Sequence, residues 1–128
     1  MANDARRRLT AALSWLLLCA APAAAQDGNL EASKLLKAGF HEPALTRVNT
    51  VLASNPDDRE ARLLKGLILT RQRKTGEALA TFRQLADAYP DLAEAHQQMA
   101  MIYAAQGDSK KSRAALEQSM RSYPPAAR

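Results

Sequence analysis

REARLLKGLILTRQRKTGEALATFRQLADAYPD, residues Arg59 to Asp91, is the stretch from which the fold can be read. Its Gly66, Leu69, Ala78, Phe82 and Pro90 are matched in kind 34 positions later by Ala100, Tyr103, Ser112, Leu116 and Pro124. The same offsets, 34 positions earlier, hold Ala32, Leu35, Ala44, Val48 and Pro56. A fixed period of this length, with helix-compatible sequence between the marks, predicts a two-helix unit that buries its apolar face only by stacking on its neighbours. Turn signals agree: Gly39 and Gly107 suit the left-handed residue that ends a helix, and Pro43 suits a first helical turn. Asp57 with Glu60, and Asp91 with Glu94, have capping-box spacing, with Asp in place of Ser or Thr. Six helices are predicted, near residues 27–38, 42–54, 58–71, 75–88, 92–105 and 109–121.

The five recurring offsets resemble those of the tetratricopeptide repeat family over residues 26–128, with repeats at about 26–58, 59–92 and 93–126. The resemblance implies an all-α fold of three helix-turn-helix repeats stacked as a short right-handed superhelix. Small residues such as Gly66 and Ala78 let helix backbones approach, while Phe82, Leu116 and Val48 fill the space beyond. Departures from the family pattern are also specific. Arg62 and His96 stand where the pattern has Trp, and Lys65 stands where it has Leu, a position that Met99 keeps apolar. Gly28 and Glu31 replace both in the first repeat, so its leading helix is predicted to be weak. Ser112 and Ser119, seven apart on the last helix, predict a more polar outer face for a terminal repeat. Leu116 and Met120 share that side, which leaves a homo-oligomer through the C-terminal helix open.

Arg6-Arg7-Arg8 ahead of the apolar run from Leu13 to Ala21, closed by Pro22-Ala23-Ala24-Ala25, has the layout of a secretory signal peptide at residues 1–25. The apolar stretch falls short of the roughly 20 residues a membrane span needs, so no stable membrane insertion is expected. Leu18 precedes Cys19, whereas lipoprotein processing resembles a pattern with Gly, Ala or Ser before the cysteine. Cys19 is therefore expected to leave with the leader, and the remaining chain has no thiol. Without Arg6–Arg8 and Asp4, 15 Lys+Arg stand against 12 Asp+Glu, so much of the basic character belongs to the leader and a nucleic-acid partner loses its main support. The expected compartment is the periplasm.

No pattern of residues points to catalysis. His41 and His96 are the only histidines and have no second ligand at helical spacing, so no metal or cofactor is expected. Asp57-Asp58 sits at a helix start, where acids complement the dipole. Ser33, Ser54, Ser109 and Ser112 lack a nucleophile-elbow context, and the chain is read as not an enzyme. Arg71-Gln72-Arg73-Lys74 is the densest basic run and is read as a solvated turn.

In the family the resemblance points to, the leading helices of successive repeats line a concave groove. The matching residues are Asn29, Ser33, Leu36 and Lys37, then Leu63, Leu67, Thr70 and Arg71, then Glu94, Gln97, Met101 and Ala104. One branch of the family grips a C-terminal carboxylate with Lys, Asn and Arg residues. The corresponding positions here are Asn29, Ser33, Leu64, Glu94 and Gln98, so that clamp is absent. The expected function is an exported adaptor or assembly factor that binds a protein or peptide through a partly apolar groove, with Leu36, Lys37, Leu63, Leu67, Thr70, Arg71, Gln97, Met101 and Ala104 as its contacts. A self-stacking structural unit is the alternative, and a non-catalytic subunit of a cell-wall enzyme a more distant one.

The leader reading has a direct check. The exported protein is expected to begin at Gln26 with no lipid, as measured by intact mass; a mass that retains Cys19 with acyl chains overturns it.

Overall fold

The computed structural model describes residues 26–123, so the leader at residues 1–25, with Cys19 and its cleavage site, and the register mark Pro124 lie outside the described residues. Helix α1 runs from the first described residue to 37. It is followed by α2 (His41–Ser54), α3 (Arg59–Arg71), α4 (Thr75–Ala88), α5 (Ala93–Ala105) and α6 (Ser109–Ser122). From the end of α1 onward every expected boundary is met to within one residue, and no strand occurs among the described residues. From α2 onward each helix packs chiefly on its neighbours in the chain, the connectivity of a solenoid.

The turn inside each repeat is built in one way. Gly39, Arg73 and Gly107, again 34 apart, have φ of 85°, 60° and 79°. Just beyond each, a backbone N–H reaches five residues back: Phe40 to Leu35, Lys74 to Leu69 and Asp108 to Tyr103, all at 2.9 Å. These bonds satisfy carbonyls that the helix end leaves open. The two glycines were legible as turn residues; Arg73 was not, because the basic run around it reads as a solvated turn of no set geometry. A side chain in this left-handed region costs roughly 1–2 kcal/mol, so the central repeat carries strain that its neighbours avoid.

The capping boxes are corrected by one residue. Asp58, not Asp57, caps α3, its Oδ1 accepting the Ala61 N–H at 2.9 Å. Asp57 lies one residue too early to reach that donor and instead pairs with Arg62 at 3.0 Å. Leu92 is the N-cap of α5, and no side chain caps that helix, so Asp91 is likewise displaced from the capping position. At α6, Asp108 accepts the Lys111 N–H at 3.0 Å, and this backbone bond, with the charges of Lys111 and Lys110, holds its carboxyl below the usual range. Stability from a depressed carboxylate is present above its unfolded pKa and is lost as pH falls through the folded one.

Phe82 is fully buried against α3, where a Cβ added at Gly66 would come within 2.5 Å of the ring. Phe82 packs with Leu69, Ala78 and Ile102, so one ring joins the central hairpin to the third repeat. The leading helix of the first repeat uses the same device. A Cβ on Gly28 would lie 2.5 Å from Val51 Cγ2, so the residue that lowers helix propensity is also the one that lets α1 and α2 approach.

The expected polar outer face of α6 is not formed by its serines. Ser119 is buried, and the half-buried Ser112 donates to the Ala100 carbonyl at 3.0 Å, so both point toward α5. The physical reason is register: they occupy the positions of the buried Leu85 and Ala78. The outer positions hold Leu116 and Met120, 47% and 67% exposed, where α2 and α4 carry residues that a following repeat packs against.

Three substitutions test this construction by thermal melting. Arg73→Gly is expected to stabilise by about 1 kcal/mol, raising Tm by roughly 4–8 °C in a domain of this size. Gly66→Ala is expected to lower Tm by forcing the Phe82 ring off α3. Gly76→Ala, in α4 with nothing within 4 Å of the added Cβ, is expected to raise it slightly.

Candidate partner-binding groove

Leading helices α1, α3 and α5 carry the residues that the repeat register assigns to the groove. In α3, Leu63, Leu67 and Thr70 fall on one face because helical neighbours recur at three and four residues. All three are half-buried. Leu63 packs against both the Phe82 group and the Leu85–Ala86–Ala95 group, and Leu67 against both the Phe82 group and the Val48–Ile68 group. Each leucine thus seals a seam between core clusters with one side and shows the other to solvent. Thr70 donates its hydroxyl to the Gly66 carbonyl at 2.9 Å, which leaves the methyl and a lone pair for other contacts.

In α1, Leu36 is half-buried on the first cluster, while Lys37 is exposed. In α5, Met101 is 65% exposed and packs into none of the core clusters, and Ala104 is exposed. Met101 is the most exposed large apolar side chain among these positions. Its unbranched thioether suits an irregular apolar surface. Lys37 and Arg71 are exposed at the C-terminal ends of α1 and α3, and among the described residues neither has a carboxylate within ion-pair distance.

Two positions differ from the sequence expectation. Asn29 is only 2% exposed and does not line an open groove. Its Nδ2 donates to Asp58 Oδ1 at 3.2 Å, tying α1 to the cap of α3, and among the described residues nothing donates to its Oδ1. Gln97 is half-buried and donates from Nε2 to Tyr123 Oη at 2.9 Å. Tyr123 therefore adds an aromatic rim beside Gln97, 26 residues away in sequence, and nothing in the sequence pattern marks that pair.

Among the described residues no three His, Cys, Asp or Glu side chains converge as a metal site, and no helix is long and apolar enough to cross a membrane. His96 Nε2 sits 3.2 Å from the Pro90 carbonyl, and Arg62 Nε donates to the Pro56 carbonyl at 2.9 Å. These two residues, 34 apart at the pattern's Trp position, anchor the proline turn that precedes each leading helix.

Sequence models described as tetratricopeptide repeat match residues 29–93 and 93–125. No curated protein matches the sequence at a significant level. Among solved structures, the chain is similar to YrrB, described as a TPR protein with an unusual peptide-binding site, with TM-score 0.70, 22% identity, and coverage of 80% of this chain and 53% of that one. It is similar to MamA with TM-score 0.70 and 14% identity, covering 77% of this chain and 57% of that one. It is also similar to the second TPR of Spaghetti (RPAP3) bound to the HSP90 peptide SRMEEVD, with TM-score 0.72 and 13% identity, covering 87% of this chain and 98% of that one. The chain thus spans little more than half the length of the YrrB and MamA chains.

The groove residues divide by what their burial supports. Met101→Ser is expected to change stability by no more than about 0.5 kcal/mol, whereas Leu63→Ala, which opens a seam between two clusters, is expected to cost about 1–3 kcal/mol. Denaturant melts of the two variants measure the difference.

Proposed function

The chain belongs to the tetratricopeptide repeat family, and on that premise we propose that it is an exported adaptor or assembly factor that binds another polypeptide through the face shared by α1, α3 and α5. The observation that carries this reading is the exposed Met101 in register with the half-exposed Leu63 and Leu67, with Lys37 and Arg71 exposed and, among the described residues, without an ion-pair partner. An apolar strip flanked by free cations suits a segment with apolar anchors and an acidic edge. Thr70, Gln97 and Ala104 complete the surface, two as polar contacts and one as room for the partner's backbone. Similar structures whose descriptions record peptide binding support recognition of a polypeptide. Export to the periplasm, and a role in envelope protein assembly, rest on the leader pattern of residues 1–25.

A self-stacking unit is the second reading, favoured by the exposed Leu116 and Met120 on α6. The opposite end of the array argues against open stacking. Where α3 presents the buried Ala61, Leu64 and Ile68 to the repeat before it, α1 presents Asp27, the 56% exposed Leu30 and Lys34, so two of the three positions are charged. Covering those charges with the apolar end of another copy carries a desolvation penalty that Ala61 and Ile68 do not.

Replacing Met101 with a photo-crosslinking residue in the exported protein is expected to capture a discrete envelope polypeptide. Against that partner, Met101→Lys, which leaves the core seams intact, is expected to weaken binding by about one to two orders of magnitude, the consequence of losing roughly 1.5–3 kcal/mol of apolar burial. Arg71→Glu is expected to act on the association rate and its salt dependence. A concentration-dependent mass by light scattering, with no heterologous partner captured, would favour the stacking unit instead.

A further inference from the structure

Leu52, Pro56, Arg62, Lys65, Thr81 and Gln84 line an open cleft of about 420 Å³ where the end of α2 meets α3 and α4. At about 100° per residue, Arg62 and Lys65 fall on nearly the opposite side of α3 from Leu63 and Leu67, so this cleft is separate from the groove. The repeat allows an internal comparison. Thirty-four positions on, the same seam of the third repeat has Ala86, Pro90, His96, Met99, Ala115 and Gln118. There Met99 packs against the buried clusters around Phe82, Leu85 and Ala115. In the central repeat Lys65 takes the place of Met99, and Thr81 that of the buried Ala115. The central repeat has thus given up apolar packing at the position where its cleft opens, and a local departure of that kind is expected at functional sites.

The charge balance of the cleft selects its ligand. Arg62 is committed: Nε to the Pro56 carbonyl at 2.9 Å and Nη2 to Asp57 at 3.0 Å, so its charge is paired. Among the described residues Lys65 has no carboxylate within ion-pair distance, leaving one uncompensated positive charge. Thr81 already donates its hydroxyl to the Glu77 carbonyl at 2.9 Å and can only accept, whereas Gln84 is exposed and its amide is free to donate. Leu52 and Pro56 form an apolar wall. One free cation suits a monoanion better than a phosphate dianion, and the wall suits aliphatic carbon.

We infer that the cleft is a second binding site, which takes a carboxylate carried on a short aliphatic chain. Lys65 Nζ supplies the charge, Gln84 a further donor, and Leu52 and Pro56 the surface on which the methylenes lie. The carboxylate comes either from a free small acid or from a glutamate side chain of a polypeptide, and the two sources share this chemistry. The site does not depend on the groove being occupied.

The test is an NMR titration of the 15N-labelled full chain with sodium propionate, with N-acetylglutamate amide, and with sodium chloride at matched ionic strength. Saturable shifts of the amides at 62–65 and 81–84 are expected with a carboxylate and not with chloride. Lys65→Met, which installs the third repeat's residue, is expected to weaken that binding by at least about tenfold, the loss of a charge-assisted hydrogen bond. Lys65→Gln, which keeps a polar side chain without the charge, is expected to do the same. Saturation by propionate identifies a free acid as sufficient, and saturation by the capped glutamate alone identifies a polypeptide side chain. Shifts that do not saturate, that chloride reproduces, or that persist unchanged in both Lys65 variants overturn the inference.

Discussion

The Phe82 ring lying on the α3 backbone at Gly66 is the contact on which the rest of the array depends. A side chain at residue 66 would meet that ring at 2.5 Å, so the approach exists only because the position has no Cβ. With the backbone this close, Ala78 also packs fully buried at the same hairpin. Phe82 reaches Leu69 on one side and Ile102 on the other, which carries the packing from the second repeat into the third. Leu63 and Leu67 then stand over the seams this contact creates, half covered and half open. The candidate groove is thus a by-product of how the repeats join, and its leucines have two roles that their burial alone does not separate.

One set of polar contacts in this chain holds turns and helix ends. Asp58 caps α3 and accepts from Asn29; Asp108 caps α6; Arg62 and His96 reach the carbonyls of Pro56 and Pro90. Glu31 and Arg47 form an exposed pair at 2.9 Å, and such surface pairs contribute little. Stability therefore rests on apolar seams and well-formed turns, and a short array has few of each. The left-handed Arg73 and the unpacked Lys65 both fall in the central repeat, which packs on neighbours at both sides. That repeat is where local departures are best tolerated, because flanking repeats hold its geometry.

The two ends of the array differ in kind. On α1, Asp27 and Lys34 flank the exposed Leu30, while α6 presents the exposed Leu116 and Met120. The exposed Leu116 and Met120 of α6 and the exposed Met101 of α5 are apolar features toward the C-terminal side, and the half-exposed Tyr123 is tied to α5 by the bond from Gln97.

The sequence by itself determined the repeat, its period, the helix boundaries to within one residue, and the small residues that make close approach possible. These follow from local rules that act through backbone sterics and 3.6-residue periodicity, and they are repeated three times over. Tertiary structure alone decided which residues at equivalent offsets do different work. Arg73 takes a left-handed turn because its repeat must match Gly39 and Gly107. Asp58 caps in place of Asp57 because α3 starts one residue late, and Ser112 and Ser119 turn inward because their positions face α5. Asn29 leaves the groove for the α3 cap, Gln97 gains Tyr123 from 26 residues away, and Lys65 lines a cleft at the position where Met99 packs on the core in the next repeat. Each of these depends on which side chains meet across helices, and pair contacts between distant residues leave no trace in periodicity.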